Sequence, residues 1–363
     1  MPKWMGAALL AAMVLLFLVA NRGAYKGFFQ DDDLDNLSWT RDAAPEEFLR
    51  GLLTPQLSEY NFRPIGHYFY RVMGRAAGFE FPRYIAVLHG IHFVNVWLVW
   101  LISRRLKATA FASLAAALFF AFHMAAFDAY WRPMYIFDVL CAFFLLAAIL
   151  AYLHGRIVVS FAAFWLAYKS KEFAIMLPAV LLAYEFWLGE RCWKRLLPFF
   201  AVSAVFGLQA IFANRGHETD YTLRLTPAAF WTCLRFYASE LLLVPYAGLL
   251  PMLALPFMVR DHRVRFGIAA LWLLLLPMLF LPGRLFSVYL YGPLIGLCFA
   301  FAALAGRLHP AAVASFFVLW LPFNYSVMRD KRRGALAVAD ENRAYFHGAA
   351  QALAGTPDAR LVV

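Results

Sequence analysis

An all-α protein that crosses a membrane about eleven times is the fold class this sequence predicts. Three observations predict it. Of the 363 residues, 63% are hydrophobic and 15% charged, with a mean hydropathy of +0.64; a soluble fold has no core large enough to hide that much apolar surface. The apolar residues collect in runs near the ~20 residues that span about 30 Å of hydrocarbon. The Lys and Arg residues behind the net charge of +11 stand in short clusters between those runs. They form no basic face and no nucleic-acid motif, so they read as the positive-inside bias of a membrane protein and not as a nucleic-acid surface.

The runs lie near 5–20, 84–103, 108–126, 135–153, 157–169, 172–188, 196–213, 240–259, 266–282, 285–305 and 311–327. The first has the length of a signal peptide, but everything after it is also membrane, so a retained helix is the preferred reading. Arg104, Arg105, Lys107, Arg156, Arg191, Lys194, Arg195, Arg260, Arg263, Arg265 and Arg307 then fall on one side, the cytoplasmic one. The long loop 21–83, the loop near Asp128, the Lys169–Glu172 segment and Arg284 fall on the other. Residues 1–327 are read as the transmembrane domain and 328–363 as a short helical tail. An odd number of spans carries Arg329, Lys331, Arg332 and Arg333 to the outer side, against the charge rule. The segment 227–239 reads as a helix lying in the interface. Cys141, Cys192, Cys233 and Cys298 have no paired or metal-finger spacing and read as small apolar residues.

The first outer loop carries the chemistry. Asp31, Asp32, Asp33 and Asp35 place four carboxylates within five residues of one another, which is costly unless a cation or a substrate offsets it. Two readings stand: a general base for an incoming hydroxyl or amine, or an acidic turn that caps the following helix, with Asp33 or Asp35 as the cap. After Pro45, the stretch 46–53 reads as an amphipathic helix on the membrane. Asp138 lies about a turn inside a span, where an ionisable group is expensive; Arg132 or Lys171 is its expected partner. His67, His89, His92 and His123 lack metal-ligand spacing and read as core or interfacial residues.

Taken in order, the acidic run at Asp31 to Asp33, Arg63-Pro64, Ser170-Lys171-Glu172 leading to Leu177-Pro178 and Tyr184-Glu185, and Arg284 before Tyr289-Leu290-Tyr291 and Pro293 to Gly296 resemble the GT-C superfamily of membrane glycosyltransferases. The likeness is to the branch of protein O-mannosyltransferases and bacterial aminoarabinose transferases. It covers the chain to about residue 305 and leaves the tail unmatched. It implies transfer of a sugar from a polyprenyl-phosphate carrier to a lipid, glycan or protein acceptor on the periplasmic face of a bacterial inner membrane. The triple aspartate leaves the register of the acidic pair open, with Asp32 the preferred base and Asp31 or Asp33 its partner. Gly283 stands where some relatives carry an acid. Relatives differ on a divalent metal, so no cofactor is assigned.

A departing phosphate gains from fixed positive charge. Arg63, Arg132, Lys169, Lys171 and Arg284 are the outer cations near helix ends, with Glu172, Asp128 and Tyr291 beside them. Each also has a plain structural reading: Lys171 and Glu172 pairing with each other, Arg132 reaching the headgroups, Arg284 anchoring the interface. The alternatives to an enzyme are a flippase of a lipid-linked sugar and a scaffold whose acidic loop binds a partner.

Overall fold

The computed structural model describes residues 3–30, 32–55, 62–213, 220 and 222–354. Every regular element among them is helical. After α1 (Lys3–Ala20), a layer at one end of the bundle is built from α2 (Asp32–Asp42), α3 (Pro45–Leu53) and α4 (Pro64–Ala77). Prolines at the first positions of α3 and α4 fix where these helices start, because proline has no N–H to leave unpaired there. The bundle follows with α5 (Phe81–Arg105), α6 (Ala110–Phe122), α7 (Phe127–Trp131), α8 (Ile136–Leu153), α9 (Ile157–Ser170), α10 (Leu177–Trp187), α11 (Leu197–Ala213), α12 (Pro227–Leu242), α13 (Leu255–Met258), α14 (His262–Leu275), α15 (Pro293–Ala305) and α16 (Pro310–Ala354).

Among the described residues four helices are long and apolar enough to cross a membrane: Phe81–Arg105, Pro133–Leu153, His262–Phe280 and Pro310–Ala354; a fifth is added if Ala110–Phe122 and Met124–Trp131, bent by 44°, count as one. The expected runs near 5–20, 157–169 and 285–305 form shorter apolar helices, Ala8–Ala20, Ile157–Ser170 and Pro293–Ala305. The run 240–259 is not one helix. Leu243 and Tyr246 take positive φ after α12, and only a π turn and the short α13 follow. Pro245, Pro251 and Pro256 break it, since each removes a helical donor and crowds the preceding turn.

The ends of the helices separate into two groups. At one end Arg105 donates to the carbonyl of Leu153, Arg263 donates to that of Lys107, and Arg263 and Arg307 both pair with Asp261. This is the end at which the charge bias predicts cytoplasm. At the other end Trp131 donates to Asn21, Lys169 reaches Thr54 and Arg63 meets Glu172. Glu185, near the end of the run 172–188, lies at the first of these ends, where it accepts from Tyr152 and from the backbone N–H of Cys192.

The tail differs most from its expectation. The tail expected as a short helical unit over 328–363 is instead continuous with the last apolar run: α16 runs unbroken for 45 residues, roughly 68 Å at 1.5 Å per residue. That is more than twice the hydrocarbon thickness. Its outward half lies on the first loop, with Asn342 donating to Phe29 and Arg343 to Lys26 and Gly27. The tail therefore shares an end with the aspartate run, which is the placement an odd count requires.

Helices α14 and α15 meet through glycine. A Cβ on Gly296 would stand 2.3 Å from the Leu271 nitrogen, and one on Gly267 2.4 Å from the Ala300 nitrogen. Small residues allow this backbone approach. Gly296→Val is expected to lower stability by about 1–3 kcal/mol, read as a fall in the melting temperature of the detergent-purified protein, whereas Gly348→Ala, in open space, leaves it unchanged.

Candidate active site

The acidic run divides by burial. Asp31 lies outside the described residues. Asp33 is fully buried: one carboxylate oxygen accepts from the Gln30 N–H at 3.0 Å and the other from the Tyr70 hydroxyl at 2.6 Å. The first of these bonds is one half of a capping box, and the charge sits favourably on the first turn of α2. Burial, then the Asp33 charge, pushes the Tyr70 phenol well above its usual range, so it stays protonated and donates. Asp32, one residue earlier, is exposed on the same turn. The structure thus gives Asp33 a holding role and leaves Asp32 facing outward.

Arg63 precedes α4 and forms a two-pronged pair with Glu172, at 2.7 and 2.9 Å. Its guanidinium lies 5.5 Å from the Phe137 ring centre. Burial works to raise the Glu172 carboxyl, and the Arg63 charge with its hydrogen bond outweighs it, so the group is held below its ordinary value. His67 accepts the Arg63 N–H; burial, then the Arg63 charge, lowers its pKa to about 3, with Glu172 opposing.

Lys171 sits in extended backbone just after α9. Its ammonium lies 2.7 Å from both oxygens of Asp138, on the first turn of α8, and 4.7 Å from the centre of the Tyr289 ring. Lys171 and Glu172 therefore pair outward in two directions and not with each other. Lys171 is the partner of Asp138, while Arg132 pairs with Asp128 at 3.3 Å.

Phe137 joins these groups. Its ring packs against Tyr70 and His67, and Gly66 makes room for it, since a Cβ there would come within 2.2 Å. Asp33 with Tyr70, Arg63 with Glu172, and Lys171 with Asp138 thus converge on one patch at the end of the bundle that holds Asp32.

Other expected residues stand apart. Lys169 donates to the Thr54 carbonyl at 2.5 Å and lies over the Trp165 and Phe206 rings. Trp165 donates to Leu52 close by, so this pair fastens the end of α3 to α9. Tyr291 is fully buried and bonded to His92 and Asn95 inside the bundle; the tyrosine that faces Lys171 is Tyr289. Arg284 lies 4.8 Å from the Phe286 ring centre, and its carbonyl accepts from Tyr237. His89 and His123 are hydrogen-bonded in the interior, as expected. Among the described residues no three His, Cys, Asp or Glu side chains converge as metal ligands.

Sequence reasoning missed Tyr70, Tyr289 and Lys331. Lys331 reaches Glu240 at 3.4 Å and Ser287 at 3.1 Å, three residues beyond Arg284. Its signal was present: a cation just past the last apolar run, on the outer side by parity.

Comparison with protein-family models, curated proteins and solved structures finds no match. The functional reading rests on the geometry of this patch.

Proposed function

We propose that the chain is a GT-C-like glycosyltransferase that moves a sugar from a polyprenyl-phosphate carrier to an acceptor at the end of the bundle holding Asp32. The observation that carries the reading is the convergence of Asp33–Tyr70, Arg63–Glu172 and Lys171–Asp138, drawn from the first loop, α4, α8 and the α9–α10 junction. In this reading the shorter apolar helices and the broken segment 243–258 cross with the longer spans, about eleven passes in all. The aspartate end then faces the periplasm of a bacterial inner membrane, opposite the Arg and Lys clusters.

Asp32 accepts the proton of the acceptor hydroxyl or amine as that atom attacks the anomeric carbon. The bond from that carbon to the phosphate oxygen breaks, and the electron pair leaves with the polyprenyl phosphate, inverting the centre. Arg63 and Lys171 stabilise the charge gathering on the phosphate. Glu172 and Asp138 hold these cations in position and offset their charge before the donor arrives.

Membranes containing the chain, supplied with radiolabelled polyprenyl-phospho-sugar, are expected to move label from the donor into an acceptor fraction. Intact donor crossing the vesicle without conversion would instead identify a flippase, and neither event a scaffold. Arg63→Lys keeps the charge but loses the paired donors, so the donor KM is expected to rise about tenfold, the ~1.4 kcal/mol of one charge-assisted hydrogen bond.

A further inference from the structure

We propose that the outward half of α16 is a positioning arm for the aspartate run, with Arg343 and Asn342 as its positioning residues; this rests on the reading of Asp32 as base. Residues 27–30 have no regular structure, so carbonyls such as those of Gly27 and Phe29 need partners from outside a helix. The arm supplies them. Arg343 donates one nitrogen to the carbonyls of Lys26 and Gly27, at 2.8 and 2.9 Å, while its other terminal nitrogen is fixed by Asp340 at 2.9 Å. Asn342 donates to the Phe29 carbonyl at 3.3 Å, and Gln30 donates back to the Ala335 carbonyl at 3.4 Å. Phe346 closes the contact against Phe28 and Phe79.

The same stretch of backbone sets the start of α2. Gln30 exchanges hydrogen bonds with Asp33, through the Asp33 carboxylate and through its own carbonyl, and Asp32 lies between them. A displacement of 27–30 is therefore passed to Asp32 through two peptide units, and a 1 Å error at a reacting group costs up to about a hundredfold in rate. Arg343 touches none of the groups assigned to the reaction. It is half-exposed, so truncating it removes hydrogen bonds without opening a cavity in the core.

The test uses the full chain in membranes, with Arg343→Ala, Arg343→Lys and the Asn342→Ala/Arg343→Ala pair. Amide hydrogen exchange of a peptide spanning 27–37 and the kinetics of sugar transfer are measured side by side. Both alanine variants are expected to exchange about tenfold faster in that peptide. Their kcat should fall about tenfold with donor KM unchanged, and Arg343→Lys should recover part of both. Unchanged exchange would show that the arm does not hold the loop, and faster exchange with full kcat would show that it holds the loop without positioning the base. Either result overturns the proposal while leaving sugar transfer intact; a wild-type chain that transfers nothing overturns the glycosyltransferase reading and the base-positioning role with it.

Discussion

Asp32→Asn is expected to slow sugar transfer by about 10²- to 10⁴-fold, the range that a positioned general base supplies, while the folded protein melts at the wild-type temperature. Its exposed side chain on the first turn of α2 is available to an acceptor arriving from water, and amide replacement removes the basic oxygen with little change in shape. Asp33→Asn should behave differently. Its two carboxylate oxygens serve two buried donors, the Gln30 N–H and the Tyr70 hydroxyl, and an amide has one oxygen for both. One donor is left unsatisfied, at a cost of about 1–3 kcal/mol. The expected signature is a lower melting temperature and faster hydrogen exchange in the layer of α2, α3 and α4, with transfer reduced as a consequence. Equal kinetic losses at both positions with no stability difference would contradict this division of roles.

The second large effect is expected at the Lys171–Asp138 pair, which is nearly enclosed, with 10% and 4% of the two side chains accessible. Lys171→Met leaves a carboxylate, and Asp138→Leu an ammonium, buried without its partner. Each should destabilise the protein by about 3–5 kcal/mol. The double variant removes both charges and is expected to recover most of that loss, since replacing a buried pair with apolar groups is often close to neutral. Sugar transfer should not recover, because the cation assigned to the phosphate is gone. Recovery of both stability and transfer would reduce the pair to a packing device.

Part of this was legible in the sequence, for a physical reason. Apolar runs and the separation of charge between two sides follow from the solvent each segment meets, which is a local property. Pro45 marked the start of α3 for the same reason. Pairing is not local: Arg63 finds Glu172 109 residues away, and only packing around Phe137 decides that. The aspartate register was ambiguous because three identical side chains follow one another. On a helix, successive residues point about 100° apart, so Asp33 turns inward and Asp32 outward, but the sequence does not say which face meets the bundle. Tyr291 and Tyr289 divide in the same way, two residues apart on a tight turn: the first points into the bundle and the second faces Lys171. The tail was misjudged because its polar composition looked like the end of a domain, when it continues a spanning helix onto the first loop.

The two-sided arrangement underlies all of this, and the chain carries its own marker for it. Cys192 is half-buried near Glu185 at the end opposite Asp32, while Cys141, Cys233 and Cys298 are buried. In an Asp32→Cys variant, a membrane-impermeant thiol reagent applied to sealed vesicles of known orientation should label position 32 from the periplasmic side and Cys192 from the cytoplasmic side. Labelling of both from one side, or of position 32 from the cytoplasm, would contradict the account.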